Sequence, residues 1–495
     1  MKVRIFCLLA SFCFSLVLHT QSYSKQIKAL DNFIVEGIEK WEPPGLAVTV
    51  VKNGEIVFTK TYGVTNIDTQ QPINSNTLFG CMSTTKAFVA AGLAMLVDDG
   101  KLNWNDKVID YLPEFQLKDP YITREINIID LLTHRTGIGN TDYLWAQMKI
   151  PSDSVLYKMR EVDKNYSLRS SFIYQNIFYL AAGKVIEKVS GKDWGAFLKE
   201  RIYNPLGMTN THATLGSIQH ISNKADAHYE IDGEITKIMQ TSADVIGPAG
   251  SMWSTIDDIG KWIQFLLNDG KVNGKTLLSE NNFNALFKVH QIVPKEQFYP
   301  TQRLTKPNFT TYGLGWFQHD YKEKMVQFHT GSLPGMVAIA GMIPEDGVGV
   351  YVMGNLDHVE LRHAIMYAVF DLFTEGKMSR NWSEELYPIY HSKENQKPDL
   401  IPIANTSPSL NVDKLAGTYM NKQYGWVKIT LDNGLLKFNM NDMVYGHVKH
   451  WHYNTYQVIF DKKYWGEMFV NVNLDVLGNL SHIDVGGDDF YLKKN

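Results

Sequence analysis

FGCMSTTKAFVAAGLAMLVDDGKLNW, from Phe79 to Trp104, holds a run from Ala87 to Val97 with no polar stripe. A helix that is apolar on every side is a buried helix. Lys86 sits in its first turn, where an ammonium would be poorly solvated and therefore costly unless it has a partner or a task. Ser83 lies three residues earlier. Helical residues three apart share a face, with their Cβ atoms about 5–6 Å apart. The stretch therefore predicts a central scaffold helix with a serine and a lysine meeting at its N-terminal end.

Working outward, GLAVTVVKNGEIVFTKTYGV (Gly45 to Val64) reads as two β-rich runs around Asn53-Gly54, a strong hairpin signal. After the serine helix, Phe178 to Gly191 and Asp257 to Lys271 read as further helices, the first with a glycine stop. Strand character returns between Met325 and Asn355 as an antiparallel meander, followed by a helix near His363 to Thr374. The early hairpin and late meander predict one antiparallel sheet with a helical region inserted between its halves. That is an α+β architecture whose site lies where sheet meets helices. Between about Arg380 and Ser409, Pro388, Pro398, Pro402 and Pro408 predict a linker. Beyond it, short strand-like runs with a second Asn-Gly turn at Asn433-Gly434 predict a small all-β barrel or sandwich.

The bulk properties suit that plan. A chain of 495 residues, 44% hydrophobic and 20% charged, is long enough for one large and one smaller globular domain. A formal net charge of -4 and the lack of a basic run argue against a nucleic-acid partner. At the N-terminus, Lys2 and Arg4 precede the apolar run Ile5 to Leu18, which is short for a membrane span and about right for a signal-peptide core. Small residues at Ser22 and Ser24 place cleavage after Ser24. The expected division is 1–24 signal peptide, 25–378 large domain, 379–408 linker and 409–495 β-domain. Periplasmic or secreted location follows, with no integral membrane segment once the signal is removed. Cys7 and Cys13 would leave with the signal, so Cys81 could form no internal disulfide and reads as a small buried hydrophobe.

Three constellations carry chemistry. A serine hydroxyl needs a base before it attacks, and a desolvated lysine has a depressed pKa suited to that role. Ser83 and Lys86 have this relation at the head of a buried helix, whereas the equally spaced Ser22 and Lys25 fall at the signal peptide. Tyr174-Gln175-Asn176 comes next, directly before a helix: a tyrosine can share a lysine's proton, and an amide can orient lysine and substrate. The similar Tyr419-Met420-Asn421 lies in the β-rich tail. The third is His329-Thr330-Gly331-Ser332 at the end of a strand, where glycine permits close approach and the following N–H can face an oxyanion.

In this order the three motifs resemble the penicillin-recognising serine hydrolase superfamily, in its class C β-lactamase-like branch, which includes esterases and D-amino-acid peptidases. The resemblance runs from about Lys25 to Phe373. LLTHRTGI, IYNPLGMTNT, GPAGSMWSTIDDIGKW and YGLGW support it, and the tail looks like the lipocalin-like barrel often appended to this branch. The resemblance implies a β-lactamase/transpeptidase-like sheet with inserted helices. It implies Ser83 as acylated nucleophile, Lys86 as proton acceptor, Tyr174 as proton shuttle, and Asn176 as the group orienting lysine and substrate. His329, Thr330, Gly331 and Ser332 would line the substrate, with the N–H groups of Ser83 and Ser332 as the oxyanion hole. Whether Lys86 or Tyr174 is the general base stays open. Histidine at 329 replaces the lysine usual in β-lactamases and transpeptidases, and is mostly neutral at pH 7. An ester or amide substrate of the esterase or D-amino-acid peptidase kind is therefore expected, ahead of a DD-carboxypeptidase or weak β-lactamase. A non-catalytic ligand-binding sensor is the alternative of another class. No metal or cofactor is called for; His447, His450 and His452 lack an accompanying carboxylate or cysteine cluster.

Overall fold

Alternation along the first strand builds two cores. In β1 (Gly45–Lys52), Leu46, Val48 and Val50 enter one apolar cluster while Ala47 and Val51 enter another. The computed structural model describes residues 23–392 and 400–493, so the signal-peptide expectation falls almost entirely outside them. β1 turns into β2 (Glu55–Gly63) through Asn53 and Gly54, both at positive φ, 51° and 80°. This is the two-residue turn that matches strand twist.

Six later strands complete the sheet: β3 (Gln291–Ile292), β4 (Thr310–Tyr312), β5 (Phe317–Tyr321), β6 (Lys324–Leu333), β7 (Met336–Ile343) and β8 (Val348–Gly354). Their order is β2-β1-β8-β7-β6-β5-β4-β3, antiparallel throughout. The early hairpin thus closes on the last strand of the meander, and the helical region is inserted between them as the sequence predicts.

One face of the sheet carries α1 (Ser24–Trp41) and α5 (Leu361–Thr374). The other carries the inserted helices α2 (Thr85–Asp98), α3 (Ile177–Ser190) and α4 (Ile256–Leu267). Every residue of α2 from Thr85 to Leu96 is buried, and Phe88 stacks on Trp262 of α4 with ring centroids 3.9 Å apart. The serine helix is the scaffold of this core.

The stretch from 379 begins with structure rather than a linker. α6 (Trp382–Tyr390) contains Pro388 and is capped by Asn381. Its Trp382 and Leu386, one turn apart, are fully buried, and the Trp382 indole donates to Asp371 of α5 at 2.9 Å. Prolines alone suggested interruption, but a buried tryptophan anchors the segment to the large domain.

Strands β9 to β16 then form a closed barrel, each pairing with the next and the last with the first. They are Gly417–Asn421, Gly425–Asp432, Leu435–Met440, Val444–His452, Thr455–Phe460, Glu467–Leu474, Leu480–Val485 and Asp488–Leu492. The lumen is filled by side chains including Tyr419, Phe438, Val458, Ile483 and Phe490. His447 is exposed, while His450 and His452 bond the backbones of Tyr453 and Ile403. Among the described residues no helix is long and apolar enough to cross a membrane.

Candidate active site

Ser83 stands in a single 3-10 turn, Met82–Thr84, immediately ahead of α2. The preceding Met82 is buried with φ of 45°, a conformation that costs a non-glycine residue about 1–3 kcal/mol. Lys86 follows one turn later and is fully buried. Its Nζ lies 3.0 Å from the Ser83 hydroxyl, 2.7 Å from Asn176 Oδ1 and 2.7 Å from the Ala249 carbonyl. Burial pushes its pKa down to about 7, partly opposed by the charge of Asp142.

These partners decide what a neutral Lys86 does. Asn176 Oδ1 and Ala249 O only accept, so the two N–H bonds of the amine go to them. The remaining lone pair then faces Ser83. Asn176 is held in that orientation because its Nδ2 donates to both oxygens of Asp142, at 2.9 and 3.0 Å.

Tyr174 stands just before α3, with Lys86 Nζ 5.0 Å from its ring centroid. His134 lies against that ring at 4.2 Å, and Phe317 runs parallel to it at 6.3 Å. Enclosure by these rings raises the phenol well above its ordinary pKa, with a hydrogen bond from Ser83 pulling the other way. Tyr174 therefore stays a neutral phenol near pH 7.

β6 brings the third motif beside the serine. A Cβ on Gly331 would meet Cys81 O at 2.5 Å and Ser83 N at 3.0 Å, so only glycine fits against the turn that carries Ser83. Gly315, from YGLGW, has φ of 83° and lies against the Lys86 backbone, where a Cβ would come within 3.1 Å. Thr330 bonds the Tyr299 hydroxyl at 2.5 Å, and the exposed Ser332 accepts from Arg362 at 3.0 Å. Arg362 is itself buried and paired with Glu360 at 2.8 Å.

His329 takes a different place from the one sequence reading gave it. Its side chain is 1% exposed and packs behind Tyr174 and Phe317, whereas Thr330 and Ser332 line the pocket with Ser83, Tyr174 and Asn176. The Gln175 amide donates to His134 Nδ1 at 3.0 Å, which leaves the His134 proton on Nε2, 3.3 Å from the Tyr312 hydroxyl. His329 Nδ1 donates to the Thr330 carbonyl at 2.6 Å, so its Nε2 accepts from Tyr312 at 2.9 Å. Burial, reinforced by Lys86, pushes His329 down to about 3 and His134 well below the usual histidine range. The sheet thus supplies a neutral relay, not a cation.

The pocket above these groups encloses about 440 Å³. Phe172, Phe298, Tyr299 and Phe317 form apolar walls, and Asp142 and Glu296 add acidic groups. Sequence reasoning missed Asp142, His134 and Tyr312 as site residues. The last two sat inside LLTHRTGI and YGLGW, which were read only as supporting segments; Asp142 offers no motif. The look-alike Tyr419 is structural: it fills the barrel, with its hydroxyl donating to Leu415 O. Cys81 is fully buried, which pushes its thiol up to about 12.

Residues 30–371 match the Beta-lactamase family and residues 402–490 match a domain of unknown function, DUF3471. The chain is similar to unguisins hydrolase ungD' of Aspergillus campestris, 26% identical over 428 residues, covering 81% of this chain and 77% of that protein. It is 23% identical over 334 residues to protein flp of Staphylococcus aureus, covering 66% of this chain and 63% of that one. In fold it is similar to the octameric penicillin-binding protein homologue from Pyrococcus abyssi, with a TM-score of 0.62, 20% identity, and 94% and 99% of the two chains covered. With the serine, its lysine and the surrounding sheet and helices in place, the chain belongs to the beta-lactamase family and is a serine hydrolase.

Proposed function

We propose that this protein is an exported hydrolase that cleaves an uncharged ester or amide through an acyl-enzyme on Ser83. One observation carries the reading: a buried lysine bonded to the serine hydroxyl, with its other two protons committed to oxygens that only accept. Neutral Lys86 removes the proton as Ser83 Oγ attacks the carbonyl carbon. The N–H groups of Ser83 and Ser332 face the developing oxyanion. Tyr174, a neutral phenol beside Lys86 and Ser83, passes that proton to the leaving group as the carbonyl re-forms. Water then takes the leaving group's place, gives its proton back through the same pair, and releases the acid.

The substrate is read from charge. The third motif carries a neutral His329, Arg362 is compensated by Glu360, and Asp142 and Glu296 line the pocket. An anionic carboxylate is poorly served there, which argues against a carboxypeptidase or an efficient β-lactamase. Export rests on the basic and apolar residues before Ser24.

The test is a burst experiment with p-nitrophenyl butyrate on the wild type and Ser83→Ala. A stoichiometric burst followed by turnover, both abolished in the variant, supports the reading. A wild type that binds but never turns over would give the non-catalytic sensor the advantage.

A further inference from the structure

A second cavity lies where the barrel meets the large domain. It encloses about 590 Å³ and is lined by Trp145, Met239 and Pro334 from the large domain and by Met443, Trp465 and Met468 from the barrel. Two of its lining residues are tied to residues that line the Ser83 pocket. Trp145 donates its indole N–H to Asp142 at 2.8 Å, and Asp142 lines the catalytic pocket and holds Asn176. Pro334 comes two residues after Ser332, at the turn from β6 to β7, and Ser332 also lines that pocket.

The seam itself is fixed at both ends. On one side Tyr143 packs on Tyr424 with centroids 4.2 Å apart and its hydroxyl accepts from Gln423, while Lys158 bonds the Lys422 carbonyl at 3.0 Å. On the other, Tyr229 stacks on Tyr464 at 5.1 Å and Lys463 pairs with Asp232 at 2.7 Å. The space between is therefore a built feature of the domain contact. Its lining joins tryptophan faces to methionines, side chains that re-pack around flexible apolar ligands. Lys462 and Glu467, of opposite charge, and the polar side chains of Gln147, Gln240, Thr241 and Ser242 complete the wall.

We infer that this seam cavity is the acyl subsite of the enzyme, and that the preferred substrate carries a long apolar acyl chain which the barrel helps to hold. The inference rests on the functional reading above. Tyr174 must face the leaving group to protonate it, so the arm of the substrate left to run past Ser332 and Asp142 is the acyl arm. A short acyl group stops in the catalytic pocket, whereas a long one passes Pro334 and Trp145 into the cavity. The barrel lumen is filled by its own side chains, so the barrel contributes through its rim.

The full chain is assayed with p-nitrophenyl acetate, butyrate and octanoate, in the wild type, Trp465→Ala and Met239→Gln, one variant from each side of the seam. The octanoate-to-acetate ratio of kcat/KM should be tenfold or more in the wild type and fall several-fold in both variants. Binding of the octanoate ester to Ser83→Ala, measured by equilibrium dialysis, should weaken several-fold when either seam substitution is added. A flat or falling chain-length series in an active wild type overturns the subsite. So does octanoate binding to Ser83→Ala that neither seam substitution weakens, whether or not esters are turned over. Absence of ester turnover alongside tight, seam-dependent binding would instead count against the hydrolytic reading and leave the subsite supported.

Discussion

Raising the pH from 6 to 8 should speed acylation of Ser83 about tenfold, through one titrating group. Burial places the Lys86 pKa at about 7, so the amine is roughly a tenth neutral at pH 6 and about nine tenths at pH 8. Only the neutral form can accept the serine proton, so kcat/KM rises with pH and levels off above 8. No falling limb is expected between pH 5 and 9, because Tyr174 titrates well above 10 and His329 at about 3. The assay is stopped-flow release of p-nitrophenol, read where its absorbance does not depend on pH. Asp142 gives the second arm. Its charge favours the ammonium form of Lys86. Asp142→Asn should therefore move the rising limb to lower pH, by about one pH unit for a charge acting across one intervening amide. Asparagine still offers one oxygen to Asn176, so the geometry is disturbed little. A limb centred near 10, or one that Asp142→Asn moves to higher pH, would refute Lys86 as the base.

The other expectations are more local. Lys86→Met should lower acylation by about 10²–10⁴-fold, the usual contribution of a general base, with the far-ultraviolet circular dichroism unchanged. Gly331→Ala should cut kcat by about 10²–10³, because its Cβ would lie 3.0 Å from Ser83 N and 2.5 Å from Cys81 O and displace an oxyanion donor; near-normal turnover would show that the turn has room. Arg362→Met leaves the buried Glu360 carboxylate unpaired and should cost about 3–5 kcal/mol in urea unfolding. Ending the chain at residue 378 should leave the large domain insoluble or much less stable, because α6 and the fully buried Trp382 are lost; ending it after His391 should not.

The parts of the fold legible in the sequence were those written in local pattern. Asn53-Gly54 and Asn433-Gly434 announced turns because two successive positive φ values exclude most other pairs. The unbroken apolar face of α2 announced a central helix, and Ser83 and Lys86 stood out against it as polar exceptions. What stayed hidden was set by contacts between distant residues. Asp142 meets Asn176 across 34 positions with no spacing to mark it. His134, Tyr312 and His329 form one relay only because β4 and β6 both pack near the loop after the short helix Ile128–Leu132. His329 was placed at the substrate on its strand position and on the resemblance of its motif. In the structure, the aromatic rings of Tyr174 and Phe317 come between it and the pocket. Trp382 shows the same limit at a boundary: four prolines in the neighbourhood outweighed one large apolar residue whose cavity is made by α5.

The buried Lys86, proposed as the base, also works against the fold. In the unfolded chain its reference value is 10.5, and in the folded chain it titrates at about 7. Below pH 7 both states are protonated and burial of the ammonium costs roughly 5 kcal/mol, at about 1.4 kcal/mol per pH unit of displacement. Between about pH 7 and 10.5 the unfolded chain binds more protons than the folded one, so this penalty fades as pH rises. The left-handed Met82 adds about 1–3 kcal/mol on the same turn. Both costs fall at the N-terminal end of a helix that is otherwise apolar and packed against α3, α4 and the helix Glu280–Phe287. That placement accounts for Ser83 standing at the head of a deeply buried helix and not in a surface loop. Only a surrounding core of this size can hold an unfavourable lysine still, dry and aimed at its serine.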